Sequence, residues 1–353
     1  MKASLSLKLE EKMNHNRVPG MGMAVFHKGQ MESGVSYGVM EAGTNRKVTA
    51  DSLFHACSIS KMVTAIGVLR LVQEGMLDLD EDVNKYLLSW RVPENEFTKQ
   101  KNVTLRNLLA HQAGFVDPEG SFDIYQNQDP LPTISDILSG KTRYNPEPLQ
   151  VKYVPESHFS YSDAGYCVVE QIIEDVTGES FATMMKRLVM TPLGLRRTFF
   201  WNYFSGKDEA EMKVCMGHDR YGQIVEGKRA YYPNLAGAGL WTTPTELAKL
   251  TLDVISAWNG DNNTLLQPEM AKMMLTGYGC DDSVGLGVFV PQDEDEPYLI
   301  SQGWGVGFQC KLLAYSCLRS GVVVMTNSDP GKHQNDSLVG EVIREIGKSR
   351  LKL

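Results

Sequence analysis

The sequence lacks the motifs that usually mark metal, redox or nucleotide chemistry. Its six cysteines show no C-x-x-C spacing, and its seven histidines form no H-E-x-x-H pair. No glycine-rich phosphate-binding or dinucleotide-binding motif follows a strand-like segment. We therefore expect free thiols, no metal site and no cofactor.

Long apolar runs and basic clusters are also missing. No stretch reaches the roughly 18 apolar residues of a membrane helix, and charged residues follow the N-terminus too early for a signal peptide. The balance of 35 basic and 43 acidic residues gives a formal net charge of -8, which argues against a nucleic-acid partner. We expect a soluble chain without a membrane span, cytoplasmic as it stands or exported if a leader once preceded it. The oligomeric state is not predicted.

The composition is that of an ordinary globular protein, with 42% hydrophobic residues over 353 positions. Helical patterns dominate the middle of the chain, whereas strand-like segments lie near both ends. These segments are residues 22–27, 285–290, 309–314 and 321–326. The predicted fold class is α/β plus all-α: an antiparallel sheet built from both chain ends and flanked by helices, with an inserted helical lobe. We assign 1–75 and 261–353 to the sheet domain and 76–260 to the mainly helical domain.

The most informative motif is Ser58-x-x-Lys61, which opens an apolar, helix-like segment. One helical turn separates the two residues, so both side chains emerge on one face and the amine can reach the hydroxyl. The positive end of the helix dipole and a dry pocket would both lower the pKa of Lys61 and favour a neutral base. Unpaired N–H groups at the helix start can also receive a developing oxyanion. The segment therefore predicts a nucleophile at Ser58 that Lys61 activates.

Other interpretations compete with this one. Ser58 could be a plain N-cap serine beside a surface lysine, which is a common use of serine. Ser349 begins the same spacing but lies at a charged terminus, and Cys57 lacks the lysine three residues later that Ser58 has. Ser36 lies in a G-x-S-x-G pattern, but a turn follows it instead of a helix, which predicts a hairpin residue.

A second proton-handling group is expected near the serine, and Tyr161 stands just before the helical segment that starts near Gly165. A tyrosine between cationic groups can share its proton, although a tyrosine in such a place is more often structural. Tyr125-x-Asn127 is a competing pattern. No apolar helix follows it, and we interpret it as a coincidence.

With these residues, the chain resembles the superfamily of class C β-lactamases, penicillin-binding proteins and family VIII carboxylesterases. Residues 103–114 look like its T-L-x-x-L-L-x-H-x-x-G segment, and further matches follow in the expected order at 177–178, 192–195 and 238–248. The resemblance implies the β-lactamase/transpeptidase-like fold with the site in a cleft between two lobes. It also implies a serine hydrolase that works through an acyl-enzyme without a cofactor.

The same resemblance implies roles for individual residues. Ser58 would be the acylated nucleophile, Lys61 its partner base and Tyr161 a second proton shuttle. The backbone N–H groups of Ser58 and Trp304 would form the oxyanion hole, and His111 would be structural. The implied substrate-binding residues are Asp163, Ser301, Gln302 and Gly303. The last of these would let the substrate lie against the edge strand.

Two positions depart from the family pattern. Asp163 replaces the usual asparagine, and its carboxylate would pair with Lys61 and hold it protonated. Ser301 replaces a lysine or histidine that helps to bind a substrate carboxylate. The sequence therefore predicts a carboxylesterase-like enzyme for small esters or amides. The alternatives are a β-lactamase or D-amino-acid peptidase, including a DD-carboxypeptidase, and a penicillin-binding receptor with little turnover; in each case the partner is a small-molecule ester, amide or β-lactam.

Overall fold

The computed structural model describes residues 3–32, 34–122, 131–201, 212–261, 265–292 and 297–347. The strands are β1 (Gly20–His27), β2 (Gln30–Met31), β3 (Val35–Gly38), β4 (Phe54–His55), β5 (Phe199–Phe200), β6 (Leu240–Thr242), β7 (Tyr298–Gly305), β8 (Phe308–Tyr315) and β9 (Ser320–Thr326). The helices are α1 (Ala3–His15), α2 (Ile59–Gln73), α3 (Leu105–Leu109), α4 (Ile134–Leu138), α5 (Asp163–Thr177), α6 (Phe181–Met185), α7 (Thr191–Leu193), α8 (Leu235–Ala238), α9 (Pro244–Trp258), α10 (Pro268–Met274) and α11 (Leu338–Ile346). None of these described helices is long and apolar enough to cross a bilayer.

A large antiparallel sheet forms the framework of the fold. Its strands run in the order β2-β1-β9-β8-β7, and β3 pairs with the first half of β1. In β9, Val322 and Val324 pack into one core, and Val323 and Met325 pack into another, which is the two-residue alternation of a strand buried on both faces. The prediction of one antiparallel sheet built from both chain ends is confirmed.

Helices cover both faces of this sheet. On one face, α1 and α11 contribute Leu9 and Val342 to a small core. On the other face, α9 packs against β1 and β9, while α2 contacts the edge strand β7. The predicted domain boundaries remain a prediction, but α9, which they place in the helical domain, packs directly on the sheet.

Helix α2 is apolar around almost its whole circumference, and it is buried in the larger core accordingly. Its start is fixed by a small three-stranded sheet in the order β4-β6-β5. His55 of β4 pairs with Trp241 of β6, and the N–H of Ala56 donates to the carbonyl of Leu240 at 2.8 Å. The residues that enter α2 are therefore held by sheet pairing, which places the serine motif at a rigid point.

Two local predictions can be compared with the structure. Ser36 lies in β3 opposite Gly22 of β1, so the hairpin interpretation is confirmed. The strand predicted at 285–290 is wrong: the segment makes only isolated bridges, from Val284 to Phe289 and from Phe289 to Ile300. Gly287 takes a φ of +75° there, which a continuous strand does not allow.

Candidate active site

Ser58 stands at the turn between β4 and α2, with its hydroxyl available for chemistry. It occupies the N-cap position of α2, but its side chain makes no capping hydrogen bond. The preceding Cys57 has a φ of +48°, an uncommon conformation for a residue with a side chain, which sharpens the turn. The Nζ of Lys61 lies 3.3 Å from the Oγ of Ser58. A plain N-cap serine with a surface lysine does not fit, because Lys61 is only 2% exposed.

Lys61 uses all three of its donors at this site. Besides Ser58, its Nζ donates to Oδ1 of Asp163 at 2.7 Å and to the carbonyl of Gly237 at 3.0 Å. Burial lowers the pKa of Lys61, but Asp163 and the Tyr161 phenol outweigh it and raise that pKa well above its ordinary value. The expected lowered pKa is therefore wrong, and the expected pairing with Asp163 is present. Lys61 is an ammonium at neutral pH.

A half-buried aspartate that sequence reasoning missed holds Asp163 in place. Asp117 accepts the N–H of Asp163 at 2.7 Å and the hydroxyl of Ser162 at 2.6 Å, and so it caps the start of α5. Burial and the charge of Asp163 raise the pKa of Asp117. Asn234 adds a long contact of 3.5 Å to Asp163, and its own amide oxygen accepts the hydroxyl of Tyr144. Nothing in the sequence near residue 117 signals this role, because only the fold brings it to α5.

Tyr161 lies over Lys61, with its ring centroid 4.8 Å from Nζ. Although Tyr161 is 40% exposed as a whole, desolvation of its phenol beside Lys61 raises the pKa of that group, while Lys61 and a hydrogen-bonding interaction with Ser58 lower it; the net direction is upward. His111 stacks on the Tyr161 ring at 4.3 Å and accepts the N–H of Ser162 through Nδ1. Burial and the nearby Lys61 lower the pKa of His111 well below its ordinary value, so it is neutral. The contacts of His111 fix the orientation of Tyr161.

The edge strand β7 passes beside Ser58 and carries four of the predicted site residues. The N–H of Ile300 points away from β8, because it donates to the carbonyl of Phe289. Since backbone direction alternates along a strand, the N–H of Trp304 also points away from β8, toward the open edge. This direction agrees with the proposed use of that N–H as an oxyanion donor. The N–H groups of Ile59 and Ser60 donate to the carbonyls of Ala56 and Cys57. The next backbone donor at this turn is therefore the N–H of Ser58.

Packing around β7 also requires a glycine at position 303, and its expected role toward the substrate stays a prediction. A Cβ at this position would lie 2.2 Å from the carbonyl oxygen of Ala56 and 2.5 Å from Sγ of Cys310. The residue therefore lets β7 pack against the segment that leads into Ser58. Gly303 is not among the residues found to line the two cavities described next.

Two cavities meet at Ser58. The wide cavity, of about 320 Å³, extends past Phe122, Tyr144, Asp163, Tyr232, Trp304 and Asp329. The narrow cavity, of about 20 Å³, is lined by Lys61, His111, Tyr161, Val288, Phe289, Ser301 and Gln302, among others. The fold thus brings together Ser58, Lys61, Tyr161, Ser301 and Gln302 around the narrow cavity, with Asp163 and Trp304 on the wide side.

The competing nucleophile Cys57 is a poor candidate in this setting. It is buried, and its burial raises the pKa of its thiol well above the ordinary value, so it is not a thiolate at neutral pH. No two of the six cysteines form a disulfide, as predicted. The competing patterns at Tyr125–Asn127 and at Ser349 lie outside the described residues. Within those residues, no group of His, Cys, Asp and Glu side chains is arranged to hold a metal ion.

Comparison with known proteins adds a family to this geometry. The family model described as Beta-lactamase matches residues 6–342. A penicillin-binding protein 4 of Amycolatopsis lactamdurans is 32% identical over 203 residues, which is 58% of this chain and 49% of that protein. A teichoic acid D-alanine hydrolase of Staphylococcus aureus is 26% identical over 262 residues, 73% of this chain and 58% of that protein. The matched segment thus spans about half the length of these curated relatives.

A solved structure shows the same fold. The octameric penicillin-binding protein homologue from Pyrococcus abyssi superimposes with a TM-score of 0.76 and 22% sequence identity. The match covers 97% of this chain and 77% of that one. At this identity the likeness shows the fold alone, and it confirms the predicted β-lactamase/transpeptidase-like architecture.

Proposed function

The chain belongs to the beta-lactamase family, and we propose that it is a serine hydrolase that cleaves small esters or amides through an acyl-enzyme on Ser58. The observation that carries this proposal is the buried Lys61 ammonium, 3.3 Å from the hydroxyl of a serine that makes no capping bond. The hydroxyl of a structural N-cap serine would accept a backbone N–H in the first turn of the helix. Here the hydroxyl faces a lysine and two cavities instead.

Acylation requires a place for the serine proton, and a resting ammonium cannot take it alone. We infer a relay: the Oγ proton of Ser58 passes to Lys61 while Lys61 passes one of its own protons to Oδ1 of Asp163, 2.7 Å away. Oγ then forms a bond to the substrate carbonyl carbon, and the carbonyl oxygen becomes an oxyanion. The N–H groups of Ser58 and Trp304 are proposed to stabilise that charge.

Collapse of the tetrahedral intermediate reverses the proton flow. The bond to the leaving group breaks, and the leaving group takes the proton of the Tyr161 phenol. Tyr161 recovers a proton from Lys61, which recovers one from Asp163, so the site returns to its starting state. Water then attacks the acyl group with the same relay and releases the acid. Tyr161 can act as the donor because its phenol is protonated at neutral pH, and the adjacent Lys61 can return the proton that it gives up.

The lining of the narrow cavity favours a leaving group without a carboxylate. Of its described lining residues, only Lys61 carries a positive charge, and that charge is already paired with Asp163. Ser301 cannot offer a charge-assisted contact to a substrate carboxylate. We therefore favour esters and amides whose leaving group lacks a carboxylate over penicillins and peptides that end in a carboxylate.

The test combines covalent labelling with turnover. Mass spectrometry should show one fluorophosphonate adduct per chain, on the peptide that contains Ser58. The S58A variant should not be labelled. The native enzyme should hydrolyse p-nitrophenyl butyrate far faster than benzylpenicillin, and S58A should hydrolyse neither. Labelling at another residue would contradict the proposal, and a stoichiometric burst without turnover on every substrate would make the protein a receptor.

A further inference from the structure

We propose that the wide cavity selects an acyl group that carries a positive charge, with Asp329 as the residue that sets this preference and Trp304 as its aromatic partner. The inference rests on the proposed function, because it concerns the acyl half of a substrate bound at Ser58. It adds a substrate class, cationic acyl esters and amides, to the general hydrolase activity.

The two cavities correspond to the two halves of a substrate. The leaving group must lie where its proton donor is, and Tyr161 lines the narrow cavity and not the wide one. The acyl group must then extend to the opposite side of Ser58, into the wide cavity. The volumes agree with this assignment, because about 20 Å³ holds only the leaving-group atoms next to the scissile bond, whereas about 320 Å³ admits an extended acyl chain.

The described lining of the wide cavity is acidic. Its described lining contains two carboxylates, Asp163 and Asp329, and no lysine or arginine. The charge of Asp163 is offset by Lys61, at 2.7 Å. No described lysine or arginine forms an ion pair with Asp329, so one negative charge remains in the cavity.

The local geometry leaves this charge open to a ligand. Oδ1 of Asp329 accepts the indole N–H of Trp304 at 2.7 Å and the N–H of Gly331 at 2.9 Å. Among the described residues, no hydrogen bond or ion pair reaches the second oxygen. Two cations lie near this loop, and neither forms an ion pair with Asp329: Arg220 lies over the Tyr221 ring at 5.4 Å and passes beside Gly331, and Lys332 donates to Asn16.

An aromatic surface lies beside the Asp329 carboxylate. Trp304 is 42% exposed, and Asp329 fixes its indole through Nε1. A ring held by its edge can offer a face to a cation, and tryptophan is the best of the aromatic side chains in this role. Tyr232, which also lines the cavity, adds a second aromatic wall. A quaternary or primary ammonium would thus meet both a carboxylate oxygen and a π face.

The experiment uses two methyl esters of the same shape that differ only in charge. One carries a 4-(trimethylammonio)butanoyl group and the other a 5,5-dimethylhexanoyl group, and methanol is the small leaving group in both. The native enzyme should favour the cationic ester by about tenfold or more in kcat/KM, because a quaternary ammonium gains a cation–π contact with Trp304 and the attraction of the Asp329 charge. D329N keeps an oxygen for Trp304 and Gly331 but loses the charge, and it should bring the ratio close to one.

D78N is the matched control. Asp78 accepts a backbone N–H in an exposed turn at 2.8 Å and does not line the cavity, so this variant loses the same charge elsewhere and should keep the native ratio. A measurement without any variant covers the case in which D329N does not fold. The native ratio should fall several-fold when ionic strength rises from about 0.02 M to about 0.5 M, because salt screens the attraction.

The outcomes separate the two proposals. Hydrolysis of both esters at equal efficiency by the native enzyme, or a ratio that neither D329N nor salt changes, overturns the cationic preference and leaves the hydrolase intact. A ratio that falls equally in D78N also overturns the role of Asp329. Absence of hydrolysis for both esters, together with no labelling of Ser58, overturns the proposed function and the inference with it.

Discussion

Two buried lysines in this molecule behave in opposite ways. Lys61 beside the proposed nucleophile and Lys311 in β8 are 2% and 8% exposed. The pKa of Lys61 is raised, because Asp163 and Tyr161 outweigh the effect of burial. The pKa of Lys311 is lowered by burial and then by the like charge of Arg344. Burial alone therefore does not set the charge of a lysine, and the partner in contact with it decides.

The contrast also explains the wrong expectation for Lys61. A dry environment without an anion was expected to depress its pKa, and Lys311 shows what such an environment does. Lys311 donates to the side-chain oxygen of Asn335, a neutral acceptor, at the turn before α11. Replacing a carboxylate by an amide is thus the structural difference between the two sites, and it is also the Asn-to-Asp departure seen at position 163.

The largest expected effect comes from removing each lysine in turn. K61M should lose about a thousandfold in kcat on p-nitrophenyl butyrate, because the proton relay loses its central member. Y161F should lose a similar amount, and the double variant little more, since such groups act as one unit. Lys311 lines neither cavity, although it lies opposite Gln302 across the strand pair, so K311M should keep kcat within about twofold. Steady-state kinetics on all four proteins, with circular dichroism to check folding, would decide this.

Two results would contradict that prediction. Full activity in K61M or Y161F would remove the residue from the proton relay. Losses that multiply in the double variant would show that Lys61 and Tyr161 act independently. The position of the Lys61 amine over the Tyr161 ring would then have no mechanistic meaning.

The next effect in size is a change of charge in the partner of Lys61. D163N places a neutral acceptor beside Lys61, as Asn335 does beside Lys311, and so its pKa should fall. Activity should then depend on a neutral lysine: kcat/KM at pH 7 should drop by about ten- to a hundredfold and recover as the pH rises through the lowered pKa of Lys61. The native enzyme should show no such alkaline recovery. Profiles measured between pH 6 and pH 10 test this, and superimposable native and D163N profiles would remove Asp163 from the relay.

A third lysine can be introduced where the family pattern has one. S301K places an ammonium in the narrow cavity, with no carboxylate assigned to it. The kcat/KM ratio of benzylpenicillin to p-nitrophenyl butyrate should rise by about ten- to a hundredfold, the size of a charge-assisted contact worth about 1.5–3 kcal/mol. S301H should give a smaller shift at neutral pH, because histidine is only partly charged there. An unchanged ratio in both variants would mean that position 301 does not face the substrate carboxylate.

Local patterns in the sequence predicted the parts of the site that depend on local geometry. Ser58 and Lys61 are one helical turn apart, and a helix start brings them together regardless of the rest of the fold. Asp117 and Asp329 had no such signal, because one reaches α5 and the other reaches Trp304 only after the chain has folded. The charge state of Lys61 was predicted both ways for the same reason: it depends on a residue 102 positions away.

The smallest effect concerns stability, and it completes the comparison. In the unfolded chain Lys311 stays protonated up to its ordinary pKa of 10.5, whereas the folded pKa is lower. Folding therefore has to accept an unfavourable buried charge at pH 7 or release a proton, and the native protein should gain stability as pH rises from the folded pKa toward 10.5. K311M keeps the apolar stem without the charge, so it should be more stable than native at pH 7, by about 1 kcal/mol, the usual size of a single-site change. That advantage should shrink toward pH 10. Urea unfolding at pH 7 and pH 9.5 measures both differences, and a K311M protein that is less stable at both values would mean that the bond to Asn335 outweighs the buried charge.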